Sequence, residues 1–226
     1  MKRVGHGGAS ALVRANTLES FDAALAIGVD MIEFDVRGNA RGDLVLAHTR
    51  LDLHRPGCPR LDDALRHLSA PQFERIALNL DLKSPRCGPA VVESLERFGL
   101  HERVLVSSQV PSILDRVREL DERIATGISV GGRASRFCQR WGDWRQTVLD
   151  AIANGRFRSL MAQHGLIDSR LVHAVKERGA EIYAWTVNDH RSIMRLAALG
   201  VDGIVTSDPR LFALASVELV PGQRFD

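Results

Sequence analysis

The chain has little cysteine and no long apolar run. Its three cysteines, Cys58, Cys87 and Cys138, lie far apart among 226 residues and form no CxxC pair, which is typical of free thiols in a reducing compartment. No stretch approaches the roughly 18 apolar residues that span a membrane, and the N-terminus lacks the apolar segment of a signal peptide. We therefore expect a cytoplasmic protein without stable membrane insertion.

Charge of one sign is not in excess either. The 30 lysine and arginine residues are balanced by 28 aspartate and glutamate residues, for a formal net charge of +2, whereas a nucleic-acid-binding protein normally carries a basic face. The sequence has no GxGxxG motif between a strand and a helix and no GxxxxGKS/T motif. These absences argue against a nucleic-acid partner and against nucleotide binding.

What the sequence does contain is an alternation of short apolar runs and helix-like segments. Hydrophobic residues make up 45% of the chain and charged residues 26%, which suits one sizeable core, and the length is too short for two ordinary domains. The apolar runs are 3–6, 31–36, 44–48, 76–82, 104–107, 124–127, 159–162, 182–186 and 203–206. The helix-like segments are 17–27, 61–68, 90–98, 113–120, 168–178 and 190–199. This alternation indicates βαβ units, and we expect a single (β/α)8 TIM barrel domain over residues 1–226.

The surplus ninth run is explained by a hairpin. The link from 36 to 44 contains glycine and is much shorter than the dozen or more residues of a parallel crossover. We therefore expect run 44–48 to fold back antiparallel on run 31–36, which leaves eight strands for the barrel. With Val36 opposite Leu44, His48 would return beside Ile32 and Glu33.

Two of the runs carry polar residues at alternate positions. Glu33 and Asp35 share one face of an apolar strand, and Asn79, Asp81 and Lys83 share one face of another. Buried carboxylates are costly unless a positive group compensates them, and a divalent cation is the simplest such group. The alternatives are an exposed edge for the first pair and a structural ion pair between Asp81 and Lys83.

Two histidines stand at strand ends. His6 ends the first run before two glycines, and His48 ends the hairpin. Histidine can act as a general acid or base near neutral pH, although a single histidine at a strand end is more often a polar cap. The evidence for a catalytic role therefore lies in the combination of the two histidines with the carboxylates, and not in either histidine alone.

A series of fragments in order resembles the glycerophosphodiester phosphodiesterase family, a family of TIM barrels. The fragments are VGHGGAS, ANTLESF, GVDMIEFDV, LVLAH, LNLDLK, VLVSS, YAWTVN and GVDGIVT, which together extend from about residue 4 to residue 209. The resemblance implies a role for each matching position. It implies one Mg²⁺ or Ca²⁺ ion held by Glu33, Asp35 and Asp81, phosphate binding by Lys83, acid–base catalysis by His6 and His48, and stacking of Trp185 on the glycerol unit.

The resemblance also implies a reaction, the hydrolysis of glycerophosphodiesters to sn-glycerol 3-phosphate and an alcohol. In the family the glycerol hydroxyl next to the phosphate is deprotonated and attacks phosphorus, the other alcohol leaves, and water opens the cyclic phosphate. The metal ion and the lysine offset the charge that grows in the transition state. For Trp185 a buried packing role is an equal alternative.

The chain departs from the family pattern at several positions. The family's His-Arg-Gly is here His6-Gly7-Gly8, and its Glu-Asn-Thr is here Ala15-Asn16-Thr17. The loss of one cation and one anion together suggests that a charged pair was removed as a unit, because neither charge is tolerable alone when buried. Arg14 or Arg37 are candidates to supply the missing positive charge, although either is more often a solvated surface residue.

Smaller departures affect the walls of the site. His-Asp is here His48-Thr49, Glu-x-Lys is here Asp81-x-Lys83, and the aromatic residue that often follows Ser-Ser is here Gln109. The link 51–59 is shorter than the family's usual insertion, which should open the site. We interpret the basic stretch 131–145 as a loop or short helix near the barrel rim. His164, just beyond the run 159–162, is a further candidate for the rim of the site.

Two other functions compete with this interpretation. One is hydrolysis of lysophospholipids or other phosphodiesters on the same fold, which the missing arginine and the short link favour. The other is a ligand-binding protein that has lost catalysis. The presence of both histidines, all three carboxylates and the lysine argues against the second.

Overall fold

A closed barrel of eight parallel strands forms the centre of the computed structural model, which describes residues 1–39, 41–132 and 143–213. The strands are β1 (Lys2–His6), β2 (Met31–Gly38), β3 (Leu44–Leu46), β4 (Ala77–Leu82), β5 (Val104–Ser108), β6 (Ala125–Val130), β7 (Ser159–Gln163), β8 (Glu181–Trp185) and β9 (Gly203–Thr206). Their order is β1-β9-β8-β7-β6-β5-β4-β2, and pairing of β1 with β2 closes the ring. The expected TIM barrel is confirmed.

Helices between the strands cover the outside of the barrel. They are α1 (Leu18–Ile27), α2 (Leu61–Leu68), α3 (Gly88–Phe98), α4 (Pro111–Leu120), α5 (Asp143–Ala153), α6 (Ser169–Lys176) and α7 (His190–Leu199). Helix α1 shows how its ends are set. The Thr17 side chain accepts a hydrogen bond from Ser20 N, and the helix stops at Gly28, whose φ of 89° is easily reached only by glycine. Among the described residues no helix is both long and apolar enough to cross a membrane.

Strand β3 is the expected hairpin strand, paired antiparallel with β2 outside the ring. The predicted register was wrong by two residues, because Val36 lies opposite Leu46 and not opposite Leu44. The reason is a tight turn in which the Asn39 side chain accepts hydrogen bonds from the amides of Arg41 and Asp43. β2 therefore runs on to Gly38. A slip of two preserves the side-chain face, and it moves His48 from Glu33 to Asp35.

The barrel interior is divided into two zones. An apolar cluster lies in the lumen and is formed by Val4, Met31, Leu105, Met161, Tyr183 and Val205, of which Met161 and Val205 also line the cavity at the carboxyl end of the strands. Above it lie buried polar side chains, which include Glu33, Asp35, Asn79, Ser107 and Ser129. The strand period of two points these residues inward while Ile32, Phe34 and Val36 pack against the helices. The chemistry is thereby confined to the carboxyl end of the barrel, where TIM-barrel active sites lie.

The stretch 131–145 is only partly described. Gly131 and Gly132 follow β6, residues 133–142 lie outside the described residues, and α5 begins at Asp143. The expectation of a loop or short helix is therefore tested only at the two ends of the stretch, where residues 143–145 are the first turn of α5. Trp144, Val148 and Ile152 recur every four residues and are buried in the outer core, which gives α5 its inner face. Cys138 also lies outside the described residues.

Candidate active site

Three carboxylates meet at the carboxyl end of the barrel. Glu33 and Asp35 come from β2 and Asp81 comes from β4, with Asp35 and Asp81 paired in the strand register. One oxygen of each lies within 4.8 Å of the others. Glu33 and Asp35 are buried. The two strands that carried the alternating polar residues are therefore neighbours, and they direct their carboxylates to one point.

Asp35 is the most firmly held of the three. Asn16 contacts it twice: Asn16 Nδ2 donates to Asp35 Oδ2 at 2.9 Å, and Asn16 Oδ1 accepts from the Asp35 amide at 2.9 Å. His48 Nδ1 lies 3.1 Å from the same Oδ2. Asn16 has a φ of 61° and is the one non-glycine residue of the described ranges with positive φ. This strained conformation, for which asparagine is better suited than most residues, lets one side chain bind both the backbone and the carboxylate.

Lys83 lies between two of the carboxylates. Its Nζ donates to Asp81 Oδ2 and lies 3.1 Å from Asp35 Oδ1, an ion pair that lacks hydrogen-bond geometry. The two negative charges and its hydrogen bond to Asp81 raise the pKa of Lys83 in spite of burial. Lys83 is therefore a permanent cation at neutral pH.

Several buried acceptor atoms at this point have no donor. Asp35 Oδ1, Asp81 Oδ1 and Asn79 Oδ1 are all buried and accept no hydrogen bond. Leaving such atoms unpaired is unfavourable in a protein interior. Hard cations such as Mg²⁺ and Ca²⁺ take carboxylate and amide oxygens as ligands, so the donor set fits a divalent ion. The cluster of Glu33, Asp35 and Asp81 could hold one.

Burial acts differently on the three carboxyl groups. Desolvation, reinforced by the charges of Asp35 and Asp81, raises the pKa of Glu33 well above 4.5. Desolvation also raises the pKa of Asp81. For Asp35, desolvation is outweighed by the His48 hydrogen bond and the Lys83 charge, so its pKa is lowered. Burial therefore favours the neutral forms of Glu33 and Asp81, while His48 and Lys83 favour the ionised form of Asp35.

The two predicted histidines flank the carboxylates. His6 Nε2 lies 4.0 Å from Glu33 Oε2, and His6 Nδ1 lies 3.5 Å from Ser207 Oγ. Desolvation lowers the pKa of His6, whereas the hydrogen bond to Asp35 raises the pKa of His48. Both histidines line the same cavity, so the structure brings together all six of the polar residues that the sequence singled out.

The cavity above the cluster has a volume of about 560 Å³. Its lining includes the side chains of Arg37, Lys83, Gln109 and Trp185. Trp185 ends β8, as expected, and a Cβ on Gly132 would lie 3.7 Å from its ring. The cavity is open to solvent and large enough for a small phosphodiester. His164, in a short turn after β7, is absent from its described lining.

Two residues that hold the site were not among those predicted to form it. Asn16 and Asn79 occur in the fragments that carry the family resemblance, but the sequence analysis assigned a role to neither. Asn16 lies 19 residues from Asp35 along the chain, a contact that periodicity does not predict. Asn79 shares a strand face with Asp81, and that position was its one signal.

Comparisons with known proteins agree on one family. The profile of the "Glycerophosphoryl diester phosphodiesterase family" matches residues 6–55 and 70–211. The gap, residues 56–69, covers the end of the connection between β3 and α2 and the whole of α2. Among curated relatives, glycerophosphodiester phosphodiesterase GDPD4 of Arabidopsis thaliana is 27% identical over 92% of this chain and 70% of its own length. A glycerophosphodiester phosphodiesterase of Caldanaerobacter subterraneus is 24% identical over 91% and 93%.

Solved structures show the same fold. A phosphodiesterase of Oleispira antarctica in complex with the product sn-glycerol-3-phosphate superposes with a TM-score of 0.77 and 22% identity, covering 96% of this chain and 97% of that one. A glycerophosphodiester phosphodiesterase of Agrobacterium tumefaciens gives a TM-score of 0.75 and 21% identity, covering 96% and 99%. At this level of identity the similarity establishes the barrel.

Proposed function

The chain belongs to the glycerophosphoryl diester phosphodiesterase family, and we propose that it hydrolyses glycerophosphodiesters to sn-glycerol 3-phosphate and an alcohol. The observation that carries this proposal is the set of buried carboxylate and amide oxygens without donors, beside one lysine and two histidines, at the carboxyl end of one barrel. Such oxygens are the ligands that a hard divalent ion takes, and the lysine beside them can pair with a phosphate oxygen.

Glu33, Asp35 and Asp81 hold one Mg²⁺ or Ca²⁺ ion in this proposal. When bound, the ion polarises the phosphoryl group and offsets negative charge in the transition state. Asn16 keeps the Asp35 carboxylate in place through its two hydrogen bonds. Lys83 would bind a phosphate oxygen, since its ammonium group lies at the carboxylates that would hold the ion.

His6 and His48 move the protons. One histidine takes the proton of the glycerol hydroxyl next to the phosphate, and that oxygen attacks phosphorus. The other histidine gives a proton to the oxygen of the alcohol, which leaves as the phosphorus–oxygen bond breaks. Water then attacks the resulting cyclic phosphate, with one histidine taking a proton from water and the other protonating the ring oxygen that departs.

Trp185 provides the apolar wall for the glycerol unit. It ends β8 and lines the same cavity as both histidines. Its indole ring presents a flat apolar face beside the polar cluster. Stacking of the carbon skeleton of glycerol on this ring would place the attacking hydroxyl near the histidines.

A second substrate class is favoured by a neighbouring apolar cavity. This cavity, of about 330 Å³, lies between β6, α5 and the start of α4, and it shares Gln109, Val110 and Gly131 with the catalytic cavity. Most of its remaining lining is apolar, including Ile128 and Phe157. A lysophospholipid has an acyl chain of suitable character for this space, so lysophospholipids are the second candidate.

The test is product release from a panel of diesters. Purified protein with Mg²⁺ or Ca²⁺ is given glycerophosphocholine, glycerophosphoethanolamine and a lysophosphatidylcholine, and the phosphorylated product is identified by phosphorus NMR. Release of sn-glycerol 3-phosphate from the first two supports the proposal. Release of a lysophosphatidic acid alone would favour the second candidate. No phosphorylated product from any of them would overturn both.

A further inference from the structure

Charge balance leaves one requirement of the site unmet. Three carboxylates carry three negative charges, and a divalent ion together with Lys83 supplies three positive charges. A phosphodiester brings a further negative charge into a largely buried place. Such a charge requires a partner. The residues that hold the ion offer none in surplus, and the histidine that acts as the general acid gives up its proton during the reaction.

Lys83, which would contact a phosphate oxygen, does not offer that oxygen a full positive charge. Its ammonium group is within 3.1 Å of Asp35 and donates to Asp81, so two carboxylates already share its charge. Gly7 cannot supply a cation either. The remaining strongly basic side chain in the described lining of the cavity is Arg37.

Arg37 is placed by strand geometry. On β2, Glu33, Asp35 and Arg37 occupy alternate positions and thus one face, so Arg37 follows Asp35 by about 7 Å toward the rim. Its Nη2 donates to the His48 carbonyl oxygen at 3.0 Å, which holds the guanidinium beside the cluster. Its Nε is buried and has no hydrogen-bond acceptor. Within the described ranges no carboxylate forms a salt bridge with Arg37.

We propose that Arg37 binds the phosphate group of the substrate as the second cation of the site. The inference rests on the proposed function and adds a specificity residue to it. A guanidinium group presents several N–H donors in one plane, which match phosphate oxygens. The bond to the His48 carbonyl uses one of these donors and orients the others.

Arg14 is the natural control. It is exposed, and its guanidinium donates to the Pro56 carbonyl oxygen at 2.9 Å and to Cys58 Sγ at 3.5 Å. Both arginines therefore bind a backbone carbonyl of the same region of the chain, but Arg14 is absent from the described lining of the cavity. Replacing either arginine removes one positive charge and one hydrogen bond to a carbonyl.

The test compares Arg37→Gln, Arg37→Lys and Arg14→Gln in the metal-loaded protein. The affinities for sn-glycerol 3-phosphate and for inorganic phosphate are measured by calorimetry, and KM and kcat are measured with glycerophosphocholine. We expect Arg37→Gln to weaken binding of both anions about tenfold or more and to raise KM similarly. Arg37→Lys should lose less, and Arg14→Gln should stay within about twofold of the original protein.

Wild-type affinity for both anions in Arg37→Gln would overturn the inference. A lower kcat with unchanged anion affinity would also overturn it, because Arg37 would then serve only to position His48. If Arg37→Gln does not fold, Arg37→Met decides: it keeps much of the length of the side chain but not the charge, so anion affinity equal to wild type contradicts the inference. A wild-type protein that binds anions through Arg37 but releases no sn-glycerol 3-phosphate would refute the proposed function alone.

Discussion

Gly7 and Ala15 lie in direct contact, and a Cβ on Gly7 would be 2.9 Å from Ala15 Cβ. These are the two positions at which the chain departs from the arginine and glutamate expected by family resemblance. Their contact supports the hypothesis that an ion pair was removed as a unit, because opposite charges at these positions would lie side by side.

Restoring arginine at position 7 alone should destabilise the protein. Gly7 has a φ of 57°, and a side chain in a sparsely populated backbone conformation costs about 1–3 kcal/mol. Gly7→Arg adds a cation without its carboxylate, so we expect it to melt lower than Gly7→Ala, and Gly7→Arg/Ala15→Glu to recover part of the loss. Unchanged stability and raised activity in Gly7→Arg would refute the ion-pair hypothesis.

Glu33→Gln and Asp35→Asn should shift the melting temperature of the metal-free protein in opposite directions. In the metal-free protein the pKa of Glu33 is raised, so its contribution to stability is complete below its unfolded pKa and is lost as pH rises through its folded pKa. Glu33→Gln has no carboxyl group at this position, so it does not lose this stability as pH rises. At neutral pH with EDTA we expect it to melt a few degrees higher, on the order of the effect of 1 kcal/mol in a chain of this size, and the gain should vanish in acid.

Asp35→Asn is the matched comparison. The pKa of Asp35 is lowered, so its contribution to stability is present above its unfolded pKa and is lost as pH falls through its folded pKa. The substitution should therefore lower the melting temperature at neutral pH in EDTA. Shifts of the same sign in the two variants would show that the distribution of charge in the cluster is different from the one described.

Asn16 should control metal affinity although it is not a proposed ligand. Asn16→Ala removes both hydrogen bonds to Asp35, and residues that orient a metal ligand typically change affinity by about 10- to 100-fold. Calorimetric titration with Mg²⁺ and Ca²⁺ measures this. Asn39→Ala, which weakens the hairpin turn outside the site, should lower stability without such a change. Equal metal affinity in wild type and Asn16→Ala would contradict the role assigned to Asn16.

The two histidines can be told apart by the leaving group. His6→Ala and His48→Ala should each lower kcat for glycerophosphocholine by about 10²–10⁴-fold. A p-nitrophenyl diester of glycerol phosphate needs little protonation of its leaving group, so the variant that lacks the general acid should regain most of its rate with it. Equal losses for both variants with both substrates would argue against an acid–base pair.

Periodicity predicts faces better than it predicts contacts. The alternation around Glu33 and Asp35 correctly predicted that both side chains share one buried face of β2. The face of a strand does not change when its register slips by two residues. The register of the hairpin depends instead on hydrogen bonds of the Asn39 side chain, which no hydrophobic pattern indicates. The sequence therefore predicted that His48 lies at the carboxylate cluster, but it gave Glu33 and not Asp35 as the neighbour of His48.

Composition left one segment undecided. The basic stretch 131–145 was expected to be a loop or a short helix, and α5 begins at Asp143, where Trp144, Val148 and Ile152 are buried at a spacing of four. The clamp on Asp35 by Asn16 and the contact of Gly7 with Ala15 join segments that are distant in sequence. Only the closed barrel brings such segments together, so local patterns could not predict either contact.

The most direct test is release of sn-glycerol 3-phosphate from glycerophosphocholine with Mg²⁺, with Ca²⁺ and with EDTA, beside the Glu33→Gln/Asp35→Asn double variant. We expect release that depends on one of the two metals, stops with EDTA and is absent in the folded double variant. Metal-independent release, or equal release by the double variant, would contradict a metal-dependent phosphodiesterase. Failure of the wild-type protein to bind either metal would contradict the site itself.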